Sequence, residues 1–165
     1  RKFLPTEVVE LGCGGGFNLK LLSSNGFQAR GYDRSTAAVR TATTAGLTAE
    51  ECGDLRFDWS KLALPSGAGV LTCGFMEQLG RDWGLLFGRL LGHDGVVLHI
   101  EPFAEMYDDS EMDRLALRFH QSRGYLSGYL AGLRLDPQVQ ILEERRVRIG
   151  SAFNDGFSYV AWRAK

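Results

Sequence analysis

The chain has 165 residues, 44% hydrophobic and 24% charged, with a formal net charge of -1. That is enough for one well-buried domain spanning 1–165 and too little for two comfortable ones. The near balance of charge supplies no basic stripe for nucleic acid or a membrane surface, and no apolar run approaches the roughly 18 residues of a spanning helix.

In chain order, Val8-Val9-Glu10-Leu11 predicts a buried parallel strand. Gly12-Cys13-Gly14-Gly15-Gly16 then predicts a tight bend that can bring backbone N–H groups against a ligand. Phe17, Leu21 and Leu22 fit a helix over 17–24 that ends at Asn25-Gly26. A second strand over 27–33 closes on Asp33, Ser35 caps a helix over 36–45, and Gly46 ends it. A weak third strand over 47–52 runs into the turn Gly53-Asp54, and 67–74 reads as a turn followed by a short buried strand. Leu85, Leu86, Phe87, Leu90 and Leu91 supply a helix's apolar face, and Asp94-Gly95 opens a fifth strand over 96–100.

Beyond it, Met112, Leu115, Phe119, Leu126, Leu130 and Leu133 keep helical spacing, with a break at Gly124 and a stop at Asp136-Pro137. Two β-rich runs, 139–149 and 157–162, read as a hairpin joined by 150–156. Five strands alternating with helices and then a hairpin predict a doubly wound α/β fold. Its seven-stranded sheet is mostly parallel, with helices on both faces and an antiparallel C-terminal pair. Cys13, Cys52 and Cys73 are odd in number and lack metal-ligand spacing, which predicts no metal site and suits a reducing cytoplasm.

Asp33 stands about 20 residues past the first glycine, where Rossmann-like folds hold a ribose hydroxyl pair, so the bend and the acid together predict a nucleoside site. The third glycine falls at Gly16 with Phe17 behind it, unlike the dinucleotide spacing, and no Gly-Lys-Ser/Thr is present. Glu10-Leu11-Gly12-Cys13-Gly14-Gly15-Gly16 followed by Asp33 resembles the first two motifs of the class I S-adenosylmethionine-dependent methyltransferases. The order of elements is similar to that family's seven-stranded fold over essentially the whole chain. The resemblance implies S-adenosyl-L-methionine as cofactor, S-adenosyl-L-homocysteine as product, and a nucleoside without phosphate. Members of the family carry helices upstream of the first strand that cover the cofactor, whereas Arg1 lies only a few residues ahead of it, so lid helices beyond this sequence are expected.

By that resemblance Gly12, Cys13, Gly14 and Gly16 form the cofactor bend, and Glu10 steers it and approaches the methionine ammonium. Glu10 could equally serve only to orient the loop. Asp33 takes the ribose, with Tyr32 and Arg34 flanking it against adenine or ribose; its local alternative is a turn bond ahead of Ser35. Asp54 matches the family's acid for the adenine amine, with the Leu55 backbone beside it, and Asp58 is near enough to exchange roles. Phe75 and Met76 line the sulfonium pocket or pack in the core, and Gln78 stands where the family usually has a histidine.

Switch-point geometry selects Glu101, and less directly His99, as groups near the methyl; His99 also reads as a hydrogen-bonded core residue. The acidic stretch 101–113, with Tyr107 inside it, is either a solvated face opening a helix or a lip for a cationic acceptor. His120 as a base, with Arg123 and Tyr125, and Phe153 with Asn154 in the last loop, are acceptor-contact candidates. Arg145, Arg146 and Arg148 read as charges protecting an edge strand. Together these predict methyl transfer to an O or N nucleophile of a small-molecule acceptor, with no nucleic-acid or membrane partner. The alternative is a non-catalytic S-adenosylmethionine-binding or scaffolding domain, and the glycine spacing disfavours a nicotinamide oxidoreductase.

Overall fold

A computed structural model of the chain describes residues 5–147 and 158–165. Strand β1 (Glu7–Leu11) is buried on both sides from Val8 onward, as a central strand must be, with Glu10 its one buried charge. Around it β2 (Gln28–Asp33), β3 (Thr48–Glu51), β4 (Gly69–Cys73), β5 (Val97–Glu101), β6 (Val139–Arg145) and β7 (Ser158–Ala164) assemble in the order β3-β2-β1-β4-β5-β7-β6. The first five strands pair in parallel, whereas β7 runs antiparallel to both β5 and β6. The strand order reverses between β1 and β4. Connections leaving these two strands run to opposite sides there, which opens a crevice at their carboxyl ends.

Two apolar cores form because successive residues of a strand face opposite sides of the sheet. On one side Val9, Leu11 and Tyr32 pack with Leu86, Leu90, Leu130 and Trp162. On the other, Leu19 of α1 (Phe17–Ser24) and Ala42 of α2 (Thr36–Thr44) pack with Cys13 and Ala49. Helix α3 (Gly84–Leu91) buries Leu86 and Leu90 but leaves Leu85 exposed.

The predicted helical run after β5 divides into α4 (Glu111–Ser122) and α5 (Tyr129–Leu135), with Gly124 and Gly128 both at positive φ in the break. Helix α4 does not bury its apolar stripe: Met112 and Leu115 are exposed, while Asp113, Ala116 and His120 are buried. The reason is polar. Asp113 accepts from Arg146 Nη2 and from the Asp108 backbone N–H, both at 2.9 Å. Arg146 is therefore a partly buried ion-pair partner and not the edge charge expected of it. Arg145 does lie on the edge strand β6. Arg148 falls outside the described residues.

No helix separates β3 from β4 among the described residues; Asp54 and Asp58 each accept backbone N–H bonds two residues on, turning the chain locally. No helix of the described residues is long and apolar enough to cross a membrane. Among the same residues, no group of three or more His, Cys, Asp or Glu side chains is arranged to hold a metal ion.

Candidate nucleoside site

The bend after β1 and the loops after β2, β3 and β4 converge on a cavity of about 410 Å³. This is within the usual range for a small-molecule site. Gly12, Asp33, Arg34, Asp54, Leu55 and Phe75, all candidates from the sequence, line it together with Arg56, Gly74 and Gln78.

Gly12 has φ 75, and a Cβ there would lie 2.6 Å from Phe75 Cδ2. Only glycine can hold that backbone angle and also admit the ring. Gly14 and Gly16 also take positive φ. Asp33 bridges two loops: Oδ2 accepts from Gly14 N and Oδ1 from Ser35 N, each at 2.8 Å. The bond to Ser35 is the local turn bond that sequence offered as the alternative role, and it coexists with a place in the cavity wall. Each carboxylate oxygen keeps a further lone pair, so the acid can still accept hydroxyls.

A second concavity of about 510 Å³ adjoins Gly12 and is lined by Glu10, Cys13, Gly14, Gly16, Asn18 and Cys73, among others. Glu10 is 1% exposed; Oε1 accepts from Asn18 Nδ2 at 2.7 Å, whereas Oε2 has no partner. Burial, opposed by the Asn18 bond, pushes its carboxyl up to about 7. An acid in this state fits a cationic ligand group, which would supply the missing partner. Burial raises the Cys13 thiol to about 12 and the Cys52 thiol to about 11, so neither is a thiolate at neutral pH.

Several expected site residues lie elsewhere. Tyr32 is core, 1% exposed, with its hydroxyl accepting from Ala63 N at 3.3 Å, and Met76 is fully buried. Asp58 packs against Gly53 and does not line the cavity. Asp54 does, but its carboxylate is engaged by Arg56 through contacts from 2.5 to 3.1 Å.

The three candidate bases are each occupied structurally, and none lines either cavity. His99 is fully buried between Thr72 Oγ1 at 2.8 Å and Tyr129 OH at 2.7 Å. Desolvation drops its imidazole to about 3, so it stays neutral and cannot store a proton near neutral pH. His120 is also buried, with Nε2 on the Leu126 carbonyl at 2.7 Å and Nδ1 3.4 Å from Tyr107 OH. Glu101 is fully buried and accepts from Phe75 N at 3.1 Å and Glu77 N at 3.4 Å; burial raises it to about 7. Glu101 is thus a positioning residue that anchors the loop carrying Phe75.

Glu101→Gln removes one acceptor oxygen and brings a donor against backbone N–H groups. We expect affinity for a nucleoside ligand to fall by about 1–3 kcal/mol through loss of loop order, which ligand titration will read.

Tyr107, Arg123 and Tyr125 form a different cluster around His120. The rings of Tyr107 and Tyr125 meet the imidazole edge-on, Arg146 lies over Tyr107, and Arg123 lies over Tyr125. None of the three lines the nucleoside cavity. Phe153 and Asn154 lie outside the described residues. Sequence reasoning missed Asn18 and Arg56. Asn18 gives no local signal, since its partner Glu10 lies across the glycine bend, while an Asp-x-Arg pair in one turn is a readable cue.

No protein-family model matches the chain, and no curated protein matches it significantly. Solved structures do. The magnesium protoporphyrin IX methyltransferase of Synechocystis PCC 6803, with bound SAH, superposes with a TM-score of 0.69 at 14% identity, covering 99% of this chain and 75% of that one. The plantazolicin methyltransferase BamL, in complex with a triazolic desmethylPZN analog and SAH, gives 0.65 at 13% identity over 98% of this chain and 77% of that one. An S-adenosylmethionine-dependent methyltransferase from Mesorhizobium loti gives 0.63 at 16% identity over 95% of this chain and 90% of that one. The chain has the seven-stranded fold of the class I S-adenosylmethionine-dependent methyltransferases.

Proposed function

We propose that the chain binds S-adenosyl-L-methionine and transfers its methyl group to an O or N nucleophile of a small-molecule acceptor. The observation that carries this reading is the cradle at the β1–β4 switch point. Gly12 there presses against Phe75, and Asp33 ties the glycine bend to the turn after β2. Solved proteins of the same fold carry SAH, and two of them are methyltransferases named for a porphyrin and for plantazolicin.

The cofactor, when bound, supplies an electrophilic methyl on a sulfonium. The residues fit it: Asp33 would hold the ribose hydroxyls, and Glu10, with its unpartnered Oε2, would take the methionine ammonium. Phe75 would wall the adenosine from the loop after β4. With Glu101, His99 and His120 all engaged inside the fold, the role left to the described cavity residues is to hold and align the reactants. Alignment can supply on the order of 7–11 kcal/mol of rate.

Titration calorimetry with S-adenosylmethionine and S-adenosylhomocysteine, followed by an acceptor screen for methyl transfer, tests the reading. Binding of both with turnover on a small acceptor supports it. Binding without turnover on any acceptor favours a non-catalytic binding domain, and binding of neither ends it.

A pH dependence follows from Glu10. In the free protein its carboxyl sits near 7, and an ammonium partner favours the ionised form. Binding below that pH therefore requires a proton to leave. Affinity is expected to rise with pH and level off above about 7. Calorimetry at pH 6 in buffers of different ionisation enthalpy should register proton release, and Glu10→Gln should abolish it.

A further inference from the structure

We propose that Arg56 takes the place of the purine amine on Asp54, so that this site holds its nucleoside without reading the amino group at purine position 6. The inference rests on the nucleoside reading above and concerns how that same cavity selects its base.

Asp54 follows β3 in the cavity wall, where the resemblance places an acceptor for the adenine amine. Its carboxylate is already engaged by Arg56 on both oxygens. Oδ1 accepts from the Arg56 backbone N at 3.1 Å and from Nε at 2.9 Å, while Oδ2 accepts from Nε at 3.1 Å and Nη2 at 2.5 Å. Arg34 Nη1 stands a further 3.9 Å from Oδ2. Of the roughly four lone-pair positions a carboxylate offers, three N–H groups of Arg56 engage it, Nε sharing its single hydrogen between the two oxygens, and the Arg34 cation stands over the remainder.

The arrangement is built by the turn itself. Phe57 N and Asp58 N both donate to the Asp54 carbonyl at 2.8 Å, and the Arg56 guanidinium lies 5.2 Å over the Phe57 ring. The guanidinium is thus held by the acid and by an aromatic face. Its hydrogen bonds keep the Asp54 carboxyl at about 2, so the pair stays doubly charged across the physiological range.

An arriving exocyclic amine is a neutral donor, and to reach Asp54 it must displace a charged one. A bond between two charged partners is then exchanged for one in which only the acceptor is charged, which leaves no net gain from the amine. What Arg56 and Arg34 offer instead is two cationic side chains among the residues that line the cavity. Those attract the face of any purine ring, whatever group it bears at position 6.

The test compares S-adenosylhomocysteine with its analogue carrying hydrogen in place of the exocyclic amine, titrated into the wild-type chain and into Arg56→Ala. Arg56 is a partly exposed side chain at the cavity rim, so its removal leaves the core untouched. For the wild type the two ligands should bind within about threefold of each other. In Arg56→Ala the freed carboxylate accepts the amine, and S-adenosylhomocysteine should bind about 10- to 100-fold tighter than the analogue, the range for one bond to a charged group. A preference of about tenfold or more in the wild type would overturn the inference, as would an Arg56→Ala variant that gains no preference. If the wild type binds neither ligand, the nucleoside reading itself fails, a result distinct from the other two.

Discussion

Gly12→Val is expected to abolish measurable cofactor binding, with affinity falling by more than about 100-fold, while leaving the chain folded. Two costs add. At φ 75 a β-branched side chain sits in the left-handed region, which disfavours it by roughly 1–2 kcal/mol. Its Cβ would also stand 2.6 Å from Phe75 Cδ2 and 2.7 Å from Phe75 Cβ. Phe75 cannot retreat freely, since its backbone N–H donates to the buried Glu101. The ring must therefore turn into the cavity that it walls, adding an overpacking penalty of about 1–3 kcal/mol and closing the nucleoside site. Calorimetry gives the affinity and thermal unfolding gives the stability. A variant that binds S-adenosylhomocysteine as the wild type does would remove the Gly12–Phe75 apposition from the site.

Asp33→Ala is expected to weaken binding by about 10- to 100-fold, from two losses. Charge-assisted acceptance of ligand hydroxyls disappears, and so do the bonds that fix Gly14 N and Ser35 N. The second loss distinguishes this variant from a simple contact deletion. With its anchor gone the glycine bend must be ordered by the ligand, so the binding entropy should become more unfavourable. Asp33→Asn retains one acceptor oxygen and should fall between the two proteins. Equal affinities across the series would show that the acid serves only the turn to Ser35.

Both variants act on features that local sequence makes legible. A run of apolar residues followed by alternate glycines predicts a strand and a bend because strand burial and positive φ are properties of a few consecutive residues. The same holds for Ser35, whose side chain accepts from Ala38 N as a helix cap should. The placement of Asp33 at a strand's carboxyl end is likewise local, and the structure puts it in the cavity wall.

The polar candidates in β5 and beyond it behaved differently. His99, Glu101 and His120 are the residue types that acid–base chemistry uses, and sequence alone cannot distinguish a poised base from a buried group with its hydrogen bonds filled. The difference lies in distant partners: Thr72 and Tyr129 for His99, the Phe75 and Glu77 amides for Glu101, and Leu126 and Tyr107 for His120. Asp113 shows the converse, an acid expected on a solvated face or an acceptor lip that Arg146, 33 residues on, draws into the interior. The stripe of α4 therefore faces outward, contrary to its apolar periodicity.

By itself the sequence determined the strands, the glycine bend, the capped helices and the acid that closes the second strand, because each depends on interactions spanning a few residues. Only the tertiary structure decided that β4 lies beside β1, which opens the crevice, and that Phe75 fills the space left by Gly12. It also decided which ionisable groups face that crevice and which are consumed in holding it open. Strand order and hydrogen-bond satisfaction are set by contacts between segments far apart in the chain, and no short window of residues records them.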